Sequence, residues 1–582
     1  MATFVLVHGA WHGGWCWERV TPHLRAAGVG VSTPTLTGLA ERAGELNRET
    51  GLATHIADIV SVLEAHDLRR VILVGHSYGG MVISGVAGEV PERLAHLVYL
   101  DAFVPAPGES LMDLLPPDRA ALYAETARTL GDGWRIPPPP VARFGVVDAA
   151  DTAWATALLT DHYELTMLQA ALRAGTAHRR AVFELFPRRL PEGRRYGVVA
   201  GVGRALEAIE RFRFDESVLE VLRQGAVVDD ATLEWLADYR FSGDIWGYPE
   251  GEIYFPYSPL MIVESTFAEA VLIETLLLSI YNHDSAIASA ASRMTSAAAG
   301  RPCIEMGSRR THEQAAVACA RAAYIAGFAA TSNLAARQRY GIPTTGTSAH
   351  SFTLLFDHEA EAFRAQVDSL GAGTTLLVDT YDIAEAVRLG VETAGTGLGA
   401  VRIDSGDLGV LAHEVRRQLD NLGATETRIV VTSDLDEHAI AALAAAPVDG
   451  YGVGTELVTG SGHPICGFVY KLVARENSAG ELEPVAKKSK DKGSIGGRKF
   501  ALRRRTSRGV AQAEVIGIGA PPDDDGDDRA LLVPLVSAGE VVGRESLEAA
   551  RERHQIARAE LPLAAQMMSR GEPVIETVHL TV

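Results

Sequence analysis

Gly399-Ala400-Val401-Arg402-Ile403-Asp404-Ser405-Gly406-Asp407-Leu408 reads as an apolar strand that stops in a turn crowded with two carboxylates and a hydroxyl. Such a turn suits the ribose hydroxyls of a phosphorylated sugar, or a Mg²⁺ ion held by carboxylate oxygens, waters and substrate phosphates. Capping of the following helix is the competing reading for any single polar residue at such a place. Apolar strands recur around it at 375–379, 399–403, 428–432 and 449–453, with helical segments at 382–391, 408–421 and 436–445. Spacings of roughly 20–30 residues are those of βα units in a barrel or a parallel sheet. The four strands end in Asp379-Thr380, Asp404-Ser405, Thr432-Ser433-Asp434 and Gly452-Val453-Gly454-Thr455. In such folds the strand C-termini converge on one mouth, where the chemistry is placed.

Working outward, alanine-rich stretches at 265–298 and 313–338 predict helices, and 466–582 mixes short strands such as Gly467 to Val473 with the acidic turn Pro521 to Asp528, read as a solvated loop. Gly197 to Gly203 is glycine-rich, which on its own indicates packing more often than dinucleotide binding. Residues 1–154 have a different character. Thr3 to Val7 is an apolar strand leading into His8-Gly9-Ala10-Trp11, Thr54 to His66 has helical periodicity, and Leu97 to Leu100 is a strand ending at Asp101. Val71 to Val74 runs into Gly75-His76-Ser77-Tyr78-Gly79, which matches the strand-to-helix turn that exposes a nucleophilic serine. Pro116-Pro117 and Pro137 to Pro140 mark loops.

At 582 residues the chain exceeds one ordinary core and predicts several units. A net charge of −20 argues against a nucleic-acid footprint, while leaving room for a local basic pocket at 487–505. The apolar window around Val271 to Ile280 carries Glu274 and is too short and too polar for a bilayer. Cys16, Cys303, Cys319 and Cys466 show no metal-ligand or disulfide spacing, which fits a reducing cytoplasm.

The serine turn resembles the α/β-hydrolase family, over residues 1–154 only. That resemblance implies an acid and a histidine after the nucleophile in chain order. No histidine occurs between His96 and His162, so Ser77 lacks a general base and is read as a vestigial elbow.

From Leu158 onward the chain resembles nicotinate phosphoribosyltransferase. The motifs are Leu159 to Met167, Glu250-Gly251-Glu252 with Phe255-Pro256, Leu272 to Met294, Glu305 to Arg310, Gly346 to His350, Val401 to Leu408, Gly452 to Thr455 and Val485 to Lys499. The resemblance implies an irregular α/β barrel of the type II phosphoribosyltransferase kind at about 265–465, with an α+β accessory domain around it. It implies nicotinate, phosphoribosyl pyrophosphate and ATP as partners, and a homodimer in which Tyr163 stacks on or near the pyridine ring. Arg309 and Arg310 would hold the nicotinate carboxylate or a phosphate, and can grip a planar carboxylate bidentately, as lysine cannot. Backbone at Gly452, Gly454 and Thr455 would cradle the 5-phosphate, and Asp404, Ser405, Gly406 and Asp407 would bind the ribose, with Mg²⁺ on Asp404 and Asp407. His350 would be the histidine that ATP phosphorylates. No Walker A sequence is present, so ATP would share the phosphoribosyl pyrophosphate pocket. The expected activity is ATP-assisted formation of nicotinate mononucleotide. The alternatives are transfer to nicotinamide or quinolinate, or a serine esterase acting through Ser77.

Overall fold

The computed structural model describes residues 3–18, 20–115, 117–130, 134, 159–487 and 493–581. The chain divides into two compact units, Met1–Val146 and Val147–Val582. The expected boundary at residue 154, the Pro137–Pro140 loop and most of the lysine run (488–492) fall outside the described residues.

In the first unit four parallel strands, β1 (Thr3–Val7), β2 (Gly30–Ser32), β3 (Val71–Ser77) and β4 (Leu94–Ala102), lie in the order β2-β1-β3-β4. Helices α1 (Leu52–Ala65) and α2 (Gly79–Glu89) supply Ile59, Leu63, Val82, Ile83 and Val86 to a core with Val5, Val7, Val71 and Leu73. Strand β4 is an edge, and Leu97, Val98 and Leu100 on it are exposed.

The second unit opens with α3 (His162–Arg173) and holds the sheet anticipated around residue 400. Its strands are β5 (Cys303–Glu305), β6 (Ala330–Thr331), β7 (Thr375–Leu377), β8 (Ala400–Ile403), β9 (Arg428–Val431) and β10 (Gly450–Val453), all parallel, in the order β6-β5-β10-β9-β8-β7. This is a parallel half-barrel, in agreement with the barrel that the resemblance implied. Period-two alternation explains β8: Val401 and Ile403 are fully buried, while Arg402 points to the other face. Helices α4 (Glu274–Ala297), α5 (Glu313–Ile325), α6 (Ile383–Ala394) and α7 (Leu408–Asn421) contribute to the core that covers the sheet. The accessory part is α+β. A seven-stranded sheet is built around Arg180–Pro187, flanked by antiparallel Phe468–Glu476 and Met261–Thr266, and a separate four-stranded sheet includes Lys499–Arg505 and Ala511–Ile518. Helix α8 (Leu547–Ala559) lies near the C-terminus.

Two expected helices are interrupted. Residues 313–338 form α5, then a turn at Gly327 (φ 106°), strand β6 and the helix Leu334–Tyr340. The left-handed conformation at Gly327 cannot continue a helix. Residues 265–298 begin as the end of a strand, pass through the short helix Phe267–Val271 and become α4 at Glu274. The Gly197–Gly203 stretch packs, with Gly201 and Gly203 N–H groups donating to the buried Glu250 carboxylate.

Candidate active site

The C-terminal ends of β5 to β10 bring most of the expected residues of the second unit to one mouth. His350 sits there half-exposed: its Nδ1 lies 3.1 Å from Thr380 Oγ1, and its Nε2 lies 3.8 Å from Asp404 Oδ2. Both ring nitrogens are therefore oriented by neighbours on different strand ends. Asp404 is fixed in turn, since its Oδ1 accepts from the Thr432 hydroxyl and its backbone N–H donates to Asp379 Oδ2 at 3.0 Å. Ser405 Oγ donates to the same Asp379 oxygen at 2.6 Å. Gly406, at φ 83°, lets the chain fold back into α7.

Asp407 has another occupation. It is the N-cap of α7, and its Oδ1 accepts from Val410 N at 3.1 Å. The two carboxylates of the turn are thus not equivalent. One faces His350, and the other has an oxygen committed to the helix. Asp379, on the neighbouring strand end, lies beside Asp404, and its Oδ1 is buried without a hydrogen-bond partner among the described residues.

After β5, the buried Glu305 organises the basic turn by accepting from Gly307 N–H and the Thr331 hydroxyl, while Asn333 Nδ2 donates to Ser308 Oγ at 3.0 Å. Burial pushes the Glu305 carboxyl up from its ordinary range, opposed by those two hydrogen bonds. Gly307 is required by close approach, since a Cβ there would meet Val458 Cγ1 at 2.3 Å. Arg309 and Arg310 emerge exposed, and neither forms an ion pair with a carboxylate among the described residues.

Arg402 faces the same space from β8 and donates to Thr347 Oγ1. Its guanidinium is pushed below its ordinary pKa chiefly by burial, with Asp404 and Asp379 acting in the opposite sense and Arg309 adding repulsion. Its Nε is buried without a partner. Two guanidiniums acting on one another across a mouth make a site for an anion.

The glycines of β10 separate into two roles. Gly452 lies within the strand, paired with Ile304, and a Cβ there would strike Thr432 Cγ2 at 2.5 Å and Met306 Sδ at 2.8 Å. The absence of a side chain there serves packing within the sheet. Gly454 precedes the four-residue helix Thr455–Val458, and a Cβ there would meet only Met306 O, at 3.6 Å. Gly454 and Thr455 therefore carry the strand-end turn. Tyr163 is not tied to this cluster by any hydrogen bond or ring contact among the described residues. It stands exposed on α3 beside Glu274, with Leu159 and Met167 also exposed. Burial and the neighbouring Glu274 raise its hydroxyl to about 12. Its helix is held in place by Glu164, which accepts from Thr275 N and Oγ1 at 2.9 and 2.6 Å.

Sequence reasoning missed Asp379, Thr380, Arg402, Thr432 and Glu305 as site residues. Three of them were visible as polar strand ends without an assigned role.

In the first unit the elbow keeps its geometry. Ser77 adopts φ 52°, and a Cβ on Gly9 would lie 3.1 Å from Ser77 Cβ, so the loop after β1 abuts the serine. A Cβ on Gly75 would strike Gly79 O at 2.6 Å. No histidine is hydrogen-bonded to Ser77 among the described residues; His55 bonds Tyr78 Oη and Thr37 O, and His8 bonds Leu36 N. No helix is long and apolar enough to cross a membrane among the described residues.

Residues 158–282 match the family model of the nicotinate phosphoribosyltransferase (NAPRTase) N-terminal domain, and residues 2–133 match that of the alpha/beta hydrolase fold. The chain is 57% identical over 451 residues to nicotinate phosphoribosyltransferase pncB1 of Mycobacterium tuberculosis, covering 76% of this chain and 98% of that one. It is 58% identical over 116 residues to a carbendazim hydrolyzing esterase of a Nocardioides species, covering 20% of this chain and 48% of that one. The first unit thus spans about half of that esterase. Among solved structures, human nicotinic acid phosphoribosyltransferase aligns with a TM-score of 0.63 at 25% identity, over 73% of this chain and 98% of that one.

Proposed function

The chain belongs to the nicotinate phosphoribosyltransferase family, and from that membership we infer that it condenses nicotinate with 5-phosphoribosyl 1-pyrophosphate to give nicotinate mononucleotide and pyrophosphate, in salvage toward NAD. ATP supplies the driving force. The observation that best supports the assignment of residues is the contact of His350 with Thr380 on one ring nitrogen and Asp404 on the other.

We propose that His350 is the phosphorylated residue. With the Nδ1 proton donated to Thr380, Nε2 carries the lone pair. That lone pair attacks the γ-phosphorus of ATP as the bond to the bridging oxygen breaks, and ADP leaves with the electron pair. Asp404 beside Nε2 supports the positive ring that develops. Hydrolysis of the phosphohistidine after turnover couples ATP cleavage to synthesis.

Arg309, with Arg310 beside it, suits the nicotinate carboxylate or a phosphate, and Arg402, which Arg309 repels across the same space, suits a phosphate oxygen. Ser405, the Gly406 backbone and Asp404 suit the ribose hydroxyls, and the Gly454-Thr455 turn suits the 5-phosphate. Mg²⁺ fits Asp379 and Asp404 better than Asp404 and Asp407, because Asp379 has a buried, unpartnered oxygen while Asp407 caps α7. Bound there, the ion would neutralise pyrophosphate charge. Exposed Tyr163 and Met167 on α3, with Leu159 just before it, suit a homodimer in which Tyr163 reaches the partner's pyridine. A cytoplasmic location fits this metabolism.

The test is a competition assay in which nicotinate, nicotinamide and quinolinate are offered with phosphoribosyl pyrophosphate, ATP and Mg²⁺. Nicotinate alone should drive rapid, ATP-stimulated pyrophosphate release; preferential use of either other pyridine would overturn the reading. A second reading, a reactive serine in the first unit, rests on the strained φ of Ser77. Without a base it would be acylated slowly and not turn over, so fluorophosphonate labelling of Ser77 accompanied by ester turnover would revive the esterase assignment.

A further inference from the structure

The second unit contains a basic cleft that the mouth does not use. Its volume is about 290 Å³, near the lower limit of small-molecule sites, and Arg301, Arg551, Arg558 and His554 line it with no carboxylate among the lining residues. Arg301 and Pro302 immediately precede β5, and Ala329 immediately precedes β6. The cleft therefore lies at the N-terminal ends of strands whose C-terminal ends form the mouth.

The hydrogen bonds of its three guanidiniums go to neutral groups. Arg301 donates to Leu443 O at 3.3 Å, Ala444 O at 2.9 Å and Tyr451 Oη at 2.9 Å. Arg551 donates to Phe328 O at 2.6 Å, Gly327 O at 3.1 Å and Tyr324 O. Arg558 donates to Thr295 Oγ1 at 3.3 Å and Ser296 Oγ at 3.1 Å. Carbonyls and hydroxyls fix the position of a guanidinium but leave its charge uncompensated. Elsewhere in this unit buried arginines carry carboxylates: Arg321 has Glu250, Arg503 has Glu514, and Arg293 has Glu437. Glu252, the acid that acts on His554, is already paired with Arg529. Three unpaired guanidiniums in one cleft of a chain with net charge −20 form an uncompensated concentration of positive charge.

His554 adds an independent observation. It is 1% exposed, and apart from an approach of the Gly251 backbone neither ring nitrogen has a hydrogen-bond partner among the described residues. Buried polar groups are ordinarily satisfied, and one that is not calls for an explanation. A bound oxyanion would accept from the guanidinium donors that carbonyls leave free, and its charge would lie beside the buried imidazole.

We propose that this cleft binds a small phosphorylated anion, at a site separate from the catalytic mouth. Its size admits a bare polyphosphate or a compact nucleotide, and excludes a macromolecular ligand.

The test is isothermal titration of the full chain with pyrophosphate, comparing the parent with Arg558→Gln, Gln555→Glu and the mouth variant Arg309→Gln. Gln555 is exposed and lines the cleft, so Gln555→Glu adds a repelling charge without disturbing the core. Two classes of site per chain are expected in the parent. Arg558→Gln and Gln555→Glu should each weaken one class at least tenfold, leave the other unchanged and preserve nicotinate turnover. Arg309→Gln should affect only the other class. Parallel titration with AMP identifies the ligand: tighter binding than pyrophosphate at the cleft class assigns a nucleotide, weaker binding a polyphosphate. A single class lost in Arg309→Gln, or a second class indifferent to Gln555→Glu, overturns the proposal.

Discussion

Replacing Asp379 by alanine should damage the mouth, although the sequence alone nominated only its neighbours for a role there. Asp379 Oδ2 accepts from Asp404 N at 3.0 Å and from Ser405 Oγ at 2.6 Å, so one carboxylate oxygen holds the turn that faces His350. Hydrogen bonds to a charged acceptor contribute about 1.5–3 kcal/mol each, which puts a ceiling of roughly 3–6 kcal/mol on the pair. Ser405 is exposed and Asp404 partly so, and water will replace part of what is lost. A net loss of about 1.5–3 kcal/mol in transition-state binding is the reasoned figure, equivalent to roughly ten- to a hundredfold in kcat/KM. The assay is steady-state formation of nicotinate mononucleotide with each substrate varied in turn. The loss should fall mainly on phosphoribosyl pyrophosphate, with the KM for nicotinate nearly unchanged. Asp379→Asn keeps an acceptor without the charge and should fall between parent and alanine. If Asp379→Ala stayed within twofold of the parent for phosphoribosyl pyrophosphate, the turn would not be held by this residue and the reasoning would fail.

His350→Ala should abolish ATP stimulation and acid-labile phosphate incorporation from γ-labelled ATP, while slow ATP-independent synthesis persists; undiminished ATP-stimulated turnover would refute the phosphohistidine assignment. Gly452→Ala should lower stability by about 1–3 kcal/mol through overpacking against Thr432 and Met306, seen as a fall in the denaturation midpoint, whereas Gly454→Ala should leave it unchanged. His554 is held neutral, with its pKa pushed down to about 3 by burial and then by Arg558, so the unfolded chain binds more protons between about pH 3 and 6.5. That contribution is present above pH 6.5 and lost as pH falls, about 2 kcal/mol by pH 5, and His554→Gln should flatten the pH dependence of chemical denaturation over this range. Residues 155–582 alone should retain nicotinate kcat/KM within about threefold of the full chain; loss of turnover with the fold intact would give residues 1–154 a part in catalysis.

The strands were legible because their apolar runs are short, regular and bounded by polar residues. The roles of those polar residues were not. Strands β7 and β8 are followed by the same spacing, Asp379-Thr380-Tyr381-Asp382 and Asp404-Ser405-Gly406-Asp407. In each, the second aspartate caps the next helix, with Asp382 accepting from Glu385 N and Asp407 from Val410 N, and the first faces the mouth. Capping is a local rule, satisfied three residues ahead, and it removes the second aspartate from consideration once the helix start is known. The contact of Asp379 with Asp404 and Ser405 crosses between neighbouring strands, and nothing in either segment alone announces it. Arg402 was hidden for a related reason. Its neighbours Val401 and Ile403 mark the strand, and only the sheet's inner face shows that the residue between them points at Thr347 and Arg309.

The same distinction between local and assembled geometry separates the two units. The strained serine of the first unit is largely a local feature: Ser77 at φ 52° sits in a turn where Gly75, Gly79 and Gly9 of the β1 loop permit close approach. Proton transfer from Ser77 needs an imidazole from a distant element, and among the described residues none is hydrogen-bonded to it. The strand beyond it, β4, exposes Leu97, Val98 and Leu100 where the sheet stops. In the mouth of the second unit each reactive group is held from another strand: His350 by Thr380 and Asp404, Asp404 by Thr432 and Asp379. A motif carried by one turn survives when its surroundings are lost, so the presence of the elbow is weak support for activity. An arrangement spread over the ends of β7, β8 and β9 persists only if all three strands keep their register. Its presence therefore weighs far more, and it supports the proposal that the chemistry of this chain lies in the second unit.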